Sequence, residues 1–182
     1  MGRRDRRDIA IVALLLLVAA LLLYSGFATL PACSGCNAKV DFVFSPGAEG
    51  EIVSFIRSAE KTIDIEMYVF TSDAIVREIA EAERRGARVR VILEPRVQDE
   101  RKDRIAAILQ DVGAEVKWAS FAYKLTHSKF IIVDGKKAVI GSINFSKSAL
   151  TANREAAVLV EGEKIKELAR IFEEDWNEAN SE

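Results

Sequence analysis

One stretch constrains this chain more than any other: His127 to Asn144, HSKFIIVDGKKAVIGSIN. Ile131, Ile132 and Val133 favour a strand, Asp134-Gly135 is a strong two-residue hairpin turn signal, and Ala138-Val139-Ile140 runs back. A two-residue loop sets His127 opposite Ser142 and Lys129 opposite Ile140. Side chains alternate along a strand, so His127, Lys129, Ser142 and Asn144 then share one face. A slip of one residue scatters that group. An imidazole is a nucleophile or general acid-base near neutral pH. An ammonium, a hydroxyl and an amide beside it suit the non-bridging oxygens of a phosphate diester. No carboxylate cluster or His/Cys set in the sequence offers a metal site. The competing reading makes His127, the only histidine, a satisfied residue of a half-buried hairpin.

Around the hairpin the pattern alternates between strands and helices. Lys39 to Phe44 reads as a strand broken by Ser45-Pro46-Gly47, and Glu51 to Lys61 as a helix with Ile52, Phe55, Ile56 and Ala59 at helical spacing. Thr62 to Phe70 alternates as a strand. Thr71-Ser72-Asp73 offers caps for a helix over Ala74 to Arg85, closed by Gly86. Ala87 to Leu93 is a buried-looking strand, Gln98 to Asp111 a third helix, and Ala114 to Ser120 another strand. Phe121 to Thr126 leads into the hairpin, and its aromatics either stack bases or pack the strand end. Phe145 to Asn153 is a polar turn or short helix, Arg154 to Val160 a strand, and Glu163 to Glu178 a terminal helix. The pattern predicts an α/β fold: a mixed, largely parallel β-sheet flanked by α-helices.

The N-terminus reads differently. A charged head over residues 1–8 precedes residues 9–30, a 22-residue run without charge, long enough to cross a bilayer core of about 30 Å. Four arginines before it predict a single-pass membrane anchor with that end inside and residues 39–182 outside the cytoplasm. The alternatives are a buried core helix, a secreted protein whose signal is cleaved, and a lipoprotein box at Leu30-Pro31-Ala32-Cys33. In the linker over 31–38, Cys33 and Cys36 are a disulfide or inert thiols, or pool with a second chain around zinc. Downstream of the head, 22 basic residues face 26 acidic ones, a net charge of −4. That excludes a generic polyanion binder; a phosphate must be captured by a local basic cleft.

The pattern H-x-K-x4-D-x6-G-S-x-N, filled by His127, Lys129, Asp134, Gly141, Ser142 and Asn144, resembles the signature of the phospholipase D superfamily. Phe44-Ser45-Pro46 and Tyr68-Val69-Phe70 are similar to it too, so the resemblance covers roughly 39–176. It implies a metal- and cofactor-independent phosphodiesterase working through a phosphohistidine. Family members use two such motifs, and this chain has one, so an active homodimer sharing one site is implied. One His127 attacks phosphorus while the other protonates the leaving oxygen and then activates water. Lys129, Asn144 and Ser142 hold phosphoryl oxygens, and Glu155 matches a family carboxylate that bonds the histidine; Ala156 departs from the asparagine often found after it. The hairpin reading makes Asp134 a turn-former and Gly141 structural support. The short single-motif form resembles bacterial endonucleases and Zucchini-type nucleases, which implies a nucleic-acid substrate; the alternative is a membrane-anchored phospholipase or cardiolipin hydrolase, and a third is a non-enzymatic nucleic-acid-binding protein. A groove lined by Arg96, Tyr123, Lys124 and Lys147 favours nucleic acid, an apolar mouth favours lipid.

Overall fold

The computed structural model describes Val12, Leu14, Leu16, Leu17 and residues 38–180. The chain divides into two compact units, Met1–Gly35 and Cys36–Glu182. Of the first, the four described residues are helical and exposed. Among the described residues no helix is long and apolar enough to cross a membrane. A crossing needs about 20 consecutive apolar residues. The expected single-pass topology, with its outward-facing domain, is therefore corrected. The charged head, the rest of 9–30, and Cys33 and Cys36 lie outside the described residues.

Among its described residues the second unit carries seven strands and five helices in chain order: β1 Lys39–Ser45, α1 Ala48–Arg57, β2 Thr62–Met67, α2 Asp73–Arg84, β3 Arg88–Leu93, α3 Arg101–Asp111, β4 Glu115–Trp118, β5 Lys129–Val133, β6 Lys137–Gly141, α4 Lys147–Thr151, β7 Glu155–Glu161 and α5 Ile165–Glu178. They form one sheet in the order β1-β7-β6-β5-β2-β3-β4. The mixed α/β expectation holds, but "largely parallel" does not. Only β2–β3 and β3–β4 pair in parallel, and the other four pairings are antiparallel. The reason is connection length. Helical crossovers of about 20 residues return β3 and β4 parallel to β2, a three-residue turn reverses the chain between β5 and β6, and a 13-residue link carrying α4 brings β7 back antiparallel to β6.

Alternation along the strands builds a core on each face. Ile63, Ile65, Val89, Val91, Ile131 and Val133 pack with residues of α1, α2 and α3. Ile92, Phe130, Ile132 and Ala138 meet Ile165, Phe172 and Trp176 of α5 on the other. Here a buried guanidinium, Arg90, bonds Asp64 (2.7 Å) and Glu173 (2.5 Å) and lies 4.9 Å from the Phe172 ring centroid. Two ends are set by capping. Ser72 accepts from the Ile75 N–H at the start of α2, and Ser146 from Ala149 at the start of α4.

The hairpin differs from expectation by one residue. Val133 pairs with Lys137 and Phe130 with Ile140, so the loop is Asp134-Gly135-Lys136 rather than two residues. Asp134 (φ 53°) and Gly135 (φ 62°) are both left-handed, and the Lys136 N–H closes the turn on the Val133 carbonyl at 3.1 Å. Lys136 is the additional residue; its carbonyl leaves the hairpin to accept from Gly162 at 3.0 Å. Extended by this register, Lys129 falls opposite Gly141, not Ile140.

Candidate active site

The one-residue shift does not disperse the expected group, because most of it lies outside the ladder. β2 pairs only as far as Met67, and Tyr68 to Phe70, expected to continue the strand, leave it. The Tyr68 N–H donates to the Ser128 carbonyl at 3.1 Å, and the Val69 N–H to Asn144 Oδ1 at 3.2 Å. These bonds draw the segment before β5 and the segment after β6 to the end of β2. His127 and Lys129 thus gather around Tyr68, with Asn144 on the neighbouring Val69.

His127 is exposed, and its ring meets the Tyr68 ring edge-on at 4.4 Å between centroids. Its ring nitrogens bond no described residue. Lys129 is buried at the root of β5; its Nζ donates to the His127 carbonyl at 2.8 Å and lies 5.0 Å from the Tyr68 ring centroid. Burial holds the Lys129 ammonium below its ordinary pKa, and the charge of Glu155 partly offsets this. Asn144 accepts from the Val69 N–H with its oxygen, and its NH2 group bonds no described residue and remains a donor.

Ser142 and Glu155 form the far side. Ser142 Oγ donates to Glu155 Oε2 at 2.5 Å, and Asn153 Nδ2 donates to Glu155 Oε1 at 3.2 Å. Glu155 is thereby held by Ser142 and Asn153; among the described residues it does not bond the His127 ring, as the family carboxylate was expected to. Gly141 lets β6 lie against β7. A Cβ there would sit 2.6 Å from the Ala157 Cβ, and closer still to the Ala156 carbonyl and Ala157 Cα. Asp134 stands at the opposite end of β5. Its carboxylate accepts from the N–H groups of Lys61 (2.8 Å), Thr62 (3.0 Å) and Glu60 (3.1 Å), tying the hairpin turn to the start of β2. Burial opposes its ionisation, but these donors outweigh burial and hold its pKa below the usual range.

The four residues expected to line a substrate groove divide. Arg96 is engaged elsewhere. It pairs with Glu94, whose side chain is fully buried, and its Nη1 donates to the carbonyls of Tyr123 (2.6 Å) and Lys124 (2.8 Å). Glu94 also accepts from the Thr126 N–H at 2.7 Å. Arg96 is thus the clamp of the 120–126 loop and not a free cation, because a buried carboxylate needs its charge. Tyr123 and Lys124 are exposed on that loop, and Lys147 is exposed at the start of α4. The charges of Glu178 and Asp175 push the Tyr123 phenol up. Phe121 and Leu125, beside it, are exposed as well. Among the described residues no group of three His, Cys, Asp or Glu side chains is placed to hold a metal ion.

One residue of this neighbourhood, Glu66, was visible only as a polar position of an alternating strand; Tyr68 was marked by Tyr68-Val69-Phe70, but its packing against His127 was not. The signal available was an acidic residue in a strand otherwise built for burial.

Comparison with known proteins places this arrangement. The family profile described as cardiolipin synthase, PLD-like domain, matches residues 52–176. A phospholipase D of Rickettsia prowazekii is 30% identical over 146 residues, 79% of this chain and 67% of that protein. A mitochondrial cardiolipin hydrolase of Chlamydomonas reinhardtii is 28% identical over 145 residues, 79% of this chain and 64% of that protein. The crystal structure of Nuc from Salmonella typhimurium, a phospholipase D family member, superposes with a TM-score of 0.74 at 26% identity, covering 79% of this chain and 97% of that one.

Proposed function

Because this chain belongs to the phospholipase D superfamily, whose enzymes act on phosphodiester bonds, we propose that it is a metal-independent endonuclease of DNA or RNA, working through His127. The observation that carries this reading is an exposed imidazole, free of ring hydrogen bonds to described residues, on a residue whose carbonyl is held by the Lys129 ammonium, with Asn144 anchored nearby on Val69. A ring nitrogen of His127 attacks phosphorus and the P–O bond to the leaving alcohol breaks; the alcohol takes a proton from a second imidazolium. That second imidazole then removes a proton from water, water attacks phosphorus, and the P–N bond breaks to free His127. Lys129 and Asn144 offset the charge on the equatorial oxygens.

Two imidazoles are needed and the chain has one histidine, so the second comes from another copy. Support for such a pairing lies on β1. Val40, Phe42 and Phe44 are exposed on one face, with the two phenylalanine rings stacked at 6.1 Å. Phe44 is paired with Ala156, next to Glu155, so this apolar stripe adjoins the site. Nucleic acid as substrate is supported by the single-motif form and by exposed Lys124 and Lys147.

A phospholipid substrate is the second reading. It is favoured by exposed Phe121, Tyr123 and Leu125 in the loop that ends at His127, and by the lipid-hydrolysing names of the curated relatives. One assay separates the two: purified protein with chelator on single-stranded DNA, RNA, duplex DNA and phospholipid vesicles. The expected result is cleavage of a nucleic acid, abolished in His127→Asn; lipid turnover alone overturns the nuclease reading.

A further inference from the structure

Glu66 has a side chain the proposed chemistry does not use, yet it stands behind the reacting group. It is 1% exposed, and its Oε2 has no hydrogen-bond partner. In the sheet it lies between Ile92 of β3 and Phe130 of β5, facing α5. Two groups bear directly on it. Ser128, opposite Tyr68 in the register of β2 and β5, shares the face of Glu66; its hydroxyl favours the charged carboxylate, and the half-buried Asp175 of α5 favours the neutral one. Ser128 lies between His127 and Lys129, and its carbonyl is held by the N–H of Tyr68, the residue on which the His127 ring packs.

We propose that Glu66 is a positioning residue: with Asp175 it forms a carboxyl pair that grips Ser128 and through it sets the place of His127 and Lys129. The inference rests on His127 as the reacting group. Its geometry is a short chain from the interior of the sheet to the site, α5 to Glu66 to Ser128 to His127. The charge of Asp175 bears on Glu66, which lies between Ile92 and Phe130 in the sheet, and ionising both carboxyls there costs repulsion. Burial is the main reason the Glu66 carboxyl is pushed up to about 7; Ser128 pulls it back and Asp175 pushes it further.

The charged groups around the pair leave this intact. On the same face, two residues back along β2, Asp64 is neutralised with Glu173 by Arg90. In the loop after β4, the Tyr123 phenol is raised by Glu178, Asp175, Glu174 and Glu66 and is neutral near pH 7. Glu94, beyond β3, is bound by Arg96. Glu174 of α5 is paired with Arg170. Glu66 therefore keeps its proton, and its neutral form contributes to stability, below about pH 7, and it loses that proton above it. A raised acid pKa means that this contribution is complete at low pH and falls away as pH rises through the folded value.

The test uses the whole protein and its single histidine, whose ring resonances are unambiguous by NMR. The His127 ring shifts are followed from pH 5 to 9 in the native protein and in Glu66→Gln, which keeps the shape and removes the titration. We expect a contribution to the native curve near pH 7 that Glu66→Gln lacks; identical curves overturn the proposal whether or not any substrate is turned over. Where a phosphodiester is cleaved, Glu66→Ala and Ser128→Ala are each expected to lower kcat by about tenfold to a hundredfold with little change in KM. Their effects should not add, and Glu66→Gln should recover most of the rate at pH 6. Full kcat in a folded Glu66→Ala, or additive losses, overturns it too.

Discussion

Gly141 and Asp134 hold the hairpin at its two ends by different means. At Gly141 the obstacle to any side chain is backbone: the Ala156 carbonyl and Ala157 Cα of β7 occupy the space a Cβ would take. Gly141→Ala must push β6 off β7, and we expect a loss of about 3 kcal/mol, read as a lower urea midpoint. An unchanged midpoint would mean that the strands separate freely. Asp134 acts through charge and hydrogen bonding. Removing it in Asp134→Ala leaves three backbone donors of residues 60–62 without their partner and is expected to lower stability by about 2 kcal/mol at pH 7. Its folded pKa lies below the usual range, so its contribution is complete above the unfolded value of about 4 and lost as pH falls through the folded one. Unfolding midpoints of the native protein and Asp134→Ala should therefore converge on acidification; a constant gap from pH 7 to pH 3 would contradict this.

Among the elements, the loop before β5 is the least expected. Its sequence, FAYKLT, shows no turn chemistry strong enough to hold it, and its order comes from below. Arg96 collects the carbonyls of Tyr123 and Lys124, and Glu94 collects the N–H of Thr126. Burial opposes the charge on Glu94, but bonding from Arg96 and the backbone keeps its pKa low. Arg96→Met strands that carboxylate in the interior and should destabilise the protein by about 3 kcal/mol, with faster amide hydrogen exchange over residues 120–126. Adding Glu94→Gln to Arg96→Met should restore part of the loss, since the orphaned charge is then gone; a further loss would show that the clamp is not electrostatic. β2 makes the complementary point. Its alternation reads on through Phe70, but pairing stops at Met67, because Tyr68 and Val69 turn their N–H groups to Ser128 and Asn144.

For the whole molecule the open matter is assembly. The site sits where β2, β5, β6 and β7 end together, and the apolar stripe of β1 reaches the same end through Phe44 and Ala156. If a second copy covers this face, Phe42→Asp with Phe44→Asp should convert a dimer to a monomer in sedimentation and remove activity at least tenfold while the fold persists. A double variant that stays dimeric places the interface elsewhere. Mixing His127→Asn with native protein should give heterodimers well below half the native rate, since both imidazoles serve one reaction. Rates that simply follow the fraction of native chains would mean that each copy works alone.

Local pattern determined much of this protein before any folding was considered: the order of strands and helices, the hairpin, and the residue types gathered near it. These follow from periodicities and turn chemistry that act over a few neighbours. Tertiary structure alone decided the rest. The sheet order, with β1 beside β7 and β5 beside β2, depends on which surfaces bury each other across the whole chain. The third loop residue of the hairpin followed from a hydrogen bond to Gly162. Arg96 reads as a free cation until the buried Glu94 is found beside it, and Glu66 as one polar residue among several until Ser128 and Asp175 close over it. Contacts between residues far apart in sequence leave no local trace, so a charge reveals its partner only once the chain has folded around both.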